Sequence, residues 1–221
     1  MTCADSKSYL SSITSELIKA WPNNRIINVV CHGHSVPAGY FRTPVVDTLG
    51  AYPHQVLEGL KERYPNAVIN VIVTAIGGEH SEAGNSRFEK EVLSHQPDVV
   101  VIDYATNDRG IGLERSEKAW LAMIKAAKNR GCKLILLTSI PDLNSYSKEH
   151  IEHESRRRDH CDLVRRLASD EELALADSDL SYSKYIGQGG TILDLLSQGN
   201  HPNRKGHAII AQDIIRWFHG P

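Results

Sequence analysis

Five apolar runs, separated by segments of helix length, constrain this chain more than any other feature of its sequence. They are Ile26 to Cys31, Ala67 to Ile76, Val99 to Ala105, Leu134 to Ile140 and the shorter Ala174 to Ala176. They lack strict polar alternation, the pattern of strands covered on both faces. Between them run helical stripes. Val56, Leu57 and Leu60 form one before Tyr64-Pro65, and Phe88, Val92 and Leu93 another before Pro97. Ala119, Trp120, Met123, Ile124 and Ala127 line a third that closes at Gly131, and Leu163, Val164 and Leu167 mark a fourth. A last helix is expected from Arg204 to Phe218, with Ile210, Ile214 and Trp217 on one face. Regular β-α alternation implies a parallel, doubly wound α/β sheet with helices on both sides.

That architecture directs attention to three loops before any chemistry is considered. Open parallel sheets bind ligands beyond the carboxyl ends of their strands. The residues there are His32-Gly33-His34-Ser35, Gly77-Gly78-Glu79 and Thr106-Asn107-Asp108. A serine following a strand and a glycine presents its hydroxyl at the rim of the sheet, as a nucleophile requires. Gly78 lets a backbone N–H approach a ligand, and Asn107 offers an amide donor. With the N–H of Ser35 these make an oxyanion hole, in which one donor contributes about 2.7–4 kcal/mol in well-studied enzymes. His201, in the turn-rich Gly199-Asn200-His201-Pro202-Asn203 before the last helix, is the candidate base. Taken singly, each of these segments is an ordinary turn or helix cap; Asn203, for one, suits an N-cap.

In chain order they are specific, and the sequence resembles the SGNH, or GDSL-like, hydrolase superfamily. Gly33-His34-Ser35-Val36 looks like its first block, with His34 where Asp is usual. Ile76-Gly77-Gly78-Glu79 resembles the second, Thr106-Asn107-Asp108 the third, and His201-Pro202-Asn203 with Gly206-His207 the fourth. The resemblance spans residues 26 to 218. It implies a three-layer α/β/α, flavodoxin-like fold with a five-stranded parallel sheet in the order 2-1-3-4-5. It also implies esterase, acylhydrolase or deacetylase activity without metal or organic cofactor. Carried over by position, Ser35 is nucleophile and first oxyanion donor, Gly78 and Asn107 are the other donors, and His201 is the base.

One departure stands out. The family usually places an Asp three residues before the His, and here that residue is Gln198. A neutral amide can fix the imidazole tautomer but supplies no charge. Neutral hydrogen bonds contribute roughly 0.5–1.5 kcal/mol against about 1.5–3 for charged ones. Gln198, a backbone carbonyl and Asp194 compete to orient the histidine, Asp194 sharing a face with Gln198 if Leu193 to Gln198 is helical. A Ser–His dyad is the remaining arrangement.

Composition narrows the rest. The 221 residues suit one domain over 1–221, with residues 1–24 as an N-terminal helical extension. Apolar residues at 41% and a formal charge of −2 argue against disorder and against recruitment to nucleic acid or an anionic membrane. Cys3, Cys31, Cys132 and Cys161 have no metal-ligand spacing and read as free thiols. Met1 to Trp21 has no secretory h-region, and the expectation is a cytoplasmic protein. The histidine-rich patch His150, Glu152, His153 and His160 lacks an H-E-x-x-H arrangement and is read as charged surface, not metal site.

Asp108 and Arg109 are placed to touch substrate, with Arg109 either a clamp for a carboxylate or sugar hydroxyl or half of an ion pair capping the third crossover. Tyr40, Phe41 and Arg42 are expected to wall the cleft, and His32 and His34 to pack. Three Phe and no long apolar insertion favour a short acyl group, such as an O-acetyl on a small molecule or glycan. Two rivals are a silent carbohydrate- or ester-binding module on the same fold and a flavin or nucleotide binder. The second lacks both G-x-G-x-x-G and a phosphate-cradling loop. Oligomeric state is not encoded legibly.

Overall fold

The computed structural model describes residues 4–146 and 151–219, so that Cys3 and His150 lie outside the described residues. In chain order the elements are α1 (Ser11–Leu17), β1 (Ile26–Gly33), α2 (Ser35–Ala38), α3 (Tyr52–Arg63), β2 (Val68–Val73), α4 (Ser81–Glu91), β3 (Val99–Asp103), α5 (Ala105–Asp108) and α6 (Leu113–Asn129). They continue with β4 (Lys133–Leu137), α7 (Ile151–Asp170), β5 (Ala174–Ala176), α8 (Ser178–Gly187), β6 (Leu196–Gln198), β7 (His201–Pro202) and α9 (Arg204–Ile215). The main sheet is parallel throughout, in the order β2-β1-β3-β4-β5.

The pleat divides the core into two layers. Val99 and Val101 of β3 join Val29 and Cys31 of β1 beneath α3, α9 and α1, where Val56, Leu60, Ile210 and Ile214 pack with Leu10, Ile13 and Leu17. Val100 and Ile102 face the other way with Val30, Leu134 and Leu136, under Phe88, Trp120, Met123, Ile124 and Leu167. Each β3 residue is therefore buried on whichever face it points to, which accounts for the unbroken apolar run. At about 25 cal/mol per Å² these two faces supply most of the drive to fold.

The sheet edge is a different environment. β2 has a partner on one side only, and Val68 and Val73 are exposed. Its apolar run reads like a central strand, but its position leaves it half covered. The paired register ends at Val73, although Thr74 and Ile76 still donate to the Cys31 and Gly33 carbonyls of β1 at 3.0 Å each. Likewise Ala105 begins α5 rather than ending β3, and β4 stops at Leu137.

Leu193 to Gln198 is not helical. A short 3-10 turn over Ile192–Asp194, closed by a reciprocal capping box between Thr191 and Asp194, gives way to β6. β6 pairs antiparallel with β7, setting Gln198 opposite His201 and Leu196 opposite Pro202. Asn203 then caps α9, its side-chain oxygen accepting from the N–H groups of Lys205 and Gly206 at 3.0 Å each. No helix among the described residues is long and apolar enough to cross a membrane.

Candidate active site

Ser35 opens α2 directly beyond β1, and its hydroxyl is almost buried. Gly33 is required there for room: a Cβ would sit 2.4 Å from the Asp103 carbonyl oxygen and 2.9 Å from Pro37. His34 folds back so that Nδ1 accepts from the Val36 N–H at 3.2 Å, capping α2. Its other nitrogen lies 3.2 Å from Asp103 Oδ1, with both side chains buried. The residue standing where the family has Asp thus borrows a carboxylate from the neighbouring strand.

His201 Nε2 lies 3.0 Å from Ser35 Oγ. The β6–β7 hairpin delivers it, with Ser197 Oγ bonded to the carbonyls of His201 and Pro202 at 3.1 and 3.0 Å. The Tyr40 ring packs beside the imidazole, centroids 6.1 Å apart. Burial pushes the His201 pKa below its ordinary value, His34 pushes in the same direction, and the Phe41 carbonyl pulls back upward. The imidazole is therefore neutral near pH 7, the form that accepts a proton.

Neither side chain named as orienter touches that imidazole. Gln198 Oε1 instead accepts from the Thr43 N–H at 2.7 Å. Asp194 accepts from Thr191 N at 2.8 Å and from the Tyr185 hydroxyl at 3.2 Å, completing its local cap. His201 Nδ1 is buried and meets no hydrogen-bond partner of full geometry among the described residues.

The oxyanion candidates hang on one another. Gly78 has φ +78°, a conformation suited to glycine, and open space where a Cβ would lie. Its segment is tied to β1 through Ile76 N–H to the Gly33 carbonyl at 3.0 Å. Asn107, on α5, donates through Nδ2 to the Glu79 carbonyl at 2.9 Å. The Glu79 side chain turns inward, taking two hydrogen bonds from Arg87 at 2.8 and 2.5 Å and one from Tyr104 at 2.6 Å. Behind Tyr104 sits buried His32, bonded to Thr74 and Tyr104 and pushed down to about 4 chiefly by desolvation. Its ring also packs edge-on against Phe88 and Tyr104.

Asp108 is fully buried and bonded at 2.7 Å to Ser81 N, Ser116 Oγ and Trp120 Nε1, so it ties α4 and α6 to α5 and cannot reach substrate. Arg109 does face the cleft. Its guanidinium donates to the Thr106 carbonyl at 2.7 Å and lies 3.2 Å from Asp142 and 2.5 Å from His153 Nε2. With Asn107, Glu152, His153 and Arg156 it lines a cavity of about 490 Å³. His153, read from sequence as plain surface, is thus part of the cleft, while His160 is buried and bonded to the Arg156 carbonyl at 2.8 Å. Among the described residues no group of three or more His, Cys, Asp or Glu side chains could hold a metal ion.

The model of the GDSL-like lipase/acylhydrolase family matches residues 31–209, a span that contains all four blocks. The chain belongs to this family. It is accordingly a carboxylic ester hydrolase of the SGNH type. A curated relative is the uncharacterized lipoprotein YqeF of Bacillus subtilis (strain 168), 24% identical over 175 residues, covering 66% of this chain and 72% of that one.

Among solved structures, a catalytic mutant of Axe2, an acetylxylan esterase from Geobacillus stearothermophilus, superposes with a TM-score of 0.76. The match covers 88% of this chain and 95% of that chain, at 19% identity. A two-domain esterase, CEX, active on acetylated mannans, gives a TM-score of 0.75 at 19% identity over 95% of this chain and 52% of that one. At these identities the likeness is one of fold, and it includes the expected three-layer arrangement and strand order.

Proposed function

We propose that this SGNH hydrolase cleaves a short-chain carboxylic ester, an O-acetyl group on a carbohydrate, through an acyl-enzyme on Ser35 with His201 as general base. The observation that carries the proposal is the 3.0 Å contact between Ser35 Oγ and the neutral imidazole of His201. In that geometry Nε2 takes the hydroxyl proton as Oγ attacks the carbonyl carbon. The developing oxyanion is held by the N–H groups of Ser35 and Gly78 and by Asn107 Nδ2. The imidazolium returns the proton to the departing alkoxide, and water, activated by the same imidazole, clears the acyl group.

The substrate class rests on the cleft beside Asn107. Arg109, Arg156, His153 and Glu152 give it a charged, hydrogen-bonding lining, paired within itself as Arg156–Glu152 and Arg109–Asp142, suited to a hydroxyl-rich leaving group rather than an acyl chain. The acetylxylan and acetylmannan esterases of like fold support the same substrate class. A panel of p-nitrophenyl esters of increasing chain length, run beside acetylated sugars, tests the reading. Acetate esters are expected to turn over fastest, and Ser35→Ala to abolish turnover. A rate that rises with chain length would sink the acetyl assignment.

An Nδ1 without a carboxylate or a hydrogen bond of full geometry among the described residues favours one rival, a silent module that binds esters without cleaving them. Phosphonylation of Ser35 by an organophosphonate, read by mass spectrometry, separates the two, because an inert serine would stay unmodified. The proposal also keeps the protein in a reducing compartment, where its free and buried Cys31, Cys132 and Cys161 stay as thiols. The lipoprotein relative points the other way, and cell fractionation decides.

A further inference from the structure

Gln198 stands where the family's aspartate would reach the imidazole, yet its side chain leads elsewhere. Gln198 and His201 face each other across the β6–β7 pair. From that position Gln198 Oε1 reaches over to accept the Thr43 N–H at 2.7 Å, 155 residues away in sequence. Thr43 belongs to the segment that leaves the nucleophile's helix, a segment closed on itself by three other contacts. Phe41 N–H donates to the Val45 carbonyl at 3.0 Å, Val45 N–H to the Arg42 carbonyl at 2.7 Å, and Tyr40 bridges to Val46. The same segment carries the Tyr40 ring that packs beside His201.

We propose that Gln198 is a positioning residue for the general base, acting through this loop: its carbonyl oxygen pins Thr43 and thereby holds residues 40–46 against the His201 imidazole. The inference rests on the reading of His201 as the base. A loop held in this way can do by backbone what a carboxylate does elsewhere. The Phe41 carbonyl of this loop draws the His201 pKa upward. With Nε2 taken by Ser35, the ring position that faces it is Nδ1, which is buried and makes no hydrogen bond of full geometry. A carbonyl at Nδ1 selects the tautomer whose Nε2 is free to accept the serine proton. It supplies dipole and direction without a full charge.

The other titratable groups acting on this imidazole are His34, with Asp103 behind it, and His207 on α9, with Asp47 nearby. None of them is bonded to Gln198, so a change confined to Gln198 reports on the loop.

The test is steady-state hydrolysis of p-nitrophenyl acetate across pH by wild type, Gln198→Met, Gln198→Glu and Ser35→Ala. Methionine keeps the length of the side chain and removes the acceptor; glutamate keeps an acceptor at the same reach. Gln198→Met should lose about three- to tenfold in kcat, the range expected for one neutral hydrogen bond. Its KM should stay near wild type, and the acid limb of kcat/KM should move to lower pH as the Phe41 carbonyl drifts from the ring. Gln198→Glu should recover most of the loss in kcat. Wild-type kcat and acid limb in Gln198→Met, or equal impairment in both variants, would overturn the proposal. Loss of activity in Ser35→Ala checks the underlying reading separately. If Ser35→Ala hydrolyses the ester as wild type does, that reading fails, and the inference fails with it.

Discussion

Asn107 donates its side-chain amide to the carbonyl of Glu79 at 2.9 Å, so one oxyanion candidate braces the loop that carries another. Gly78 immediately precedes that carbonyl, and the Glu79 side chain below it is clamped by Arg87 and Tyr104. The donors of the candidate hole are therefore a linked set, and substitution at one should be felt at the next.

Asn107→Ala should lower kcat by about 10²–10³, corresponding to roughly 2.7–4 kcal/mol of transition-state stabilisation. KM should change little, because the donor acts on charge that develops during the reaction. Kinetics on p-nitrophenyl acetate read both numbers; a rise in KM with kcat intact would assign Asn107 to ground-state binding instead.

Arg87→Ala leaves the Glu79 carboxylate enclosed with only Tyr104 for company, and breaking such a pair costs about 3–5 kcal/mol. Burial pushes the Glu79 pKa up, but the Arg87 and Tyr104 hydrogen bonds outweigh it and hold it below the ordinary value. A depressed carboxylate stabilises the fold above its unfolded pKa and loses that contribution as pH falls through the folded value. Urea denaturation should therefore show a wide gap between wild type and variant at pH 7, closing below about pH 4. A gap that stays constant with pH would contradict the assignment.

Activity itself should fall on the acid side as His201 gains a proton. Since burial and His34 lower its pKa from 6.5, the acid limb of kcat/KM should have its midpoint below that value. A midpoint above it is the behaviour of an imidazole backed by a carboxylate, and would contradict the environment described for Nδ1.

Two glycines should respond to alanine in opposite ways. At Gly33 the new methyl would meet the Asp103 carbonyl oxygen at 2.4 Å, overpacking that costs about 1–3 kcal/mol and displaces Ser35 with it. At Gly78 the methyl enters open space, and the cost is the φ of +78° alone, about 1–2 kcal/mol. Melting temperature and kcat should both drop in Gly33→Ala, whereas Gly78→Ala should lose more in kcat than in stability. Equal melting temperatures for Gly33→Ala and wild type would refute the packing argument.

Much of this was legible in the sequence for a definite reason. The strand runs encode double-sided burial directly, and the first three blocks sit at strand ends where the topology must bring them together, with the fourth just before the last helix. What escaped was long-range or depended on position in the sheet. Nothing local marks Glu79, Arg87 and Tyr104 as a cluster, because three separate elements supply them. β2 reads like a core strand since apolar content does not reveal which strand lies at the edge. Asp194 and Gln198 would share a face only if Leu193 to Gln198 were helical. The Thr191–Asp194 cap ends that turn after three residues, and the chain turns extended. Nothing in the sequence signals that the Phe41 carbonyl draws the His201 pKa upward, because the two are brought together only by the fold.

The 166 residues separating Ser35 from His201 carry a consequence for biogenesis. A nascent chain that has emerged as far as β5 holds the proposed nucleophile and oxyanion donors, but not the proposed base. Hydrolysis can begin only after the β6–β7 hairpin and α9 have docked on a finished sheet. On the proposed mechanism, ester turnover would report the last step of folding, and a chain ending before His201 should be silent.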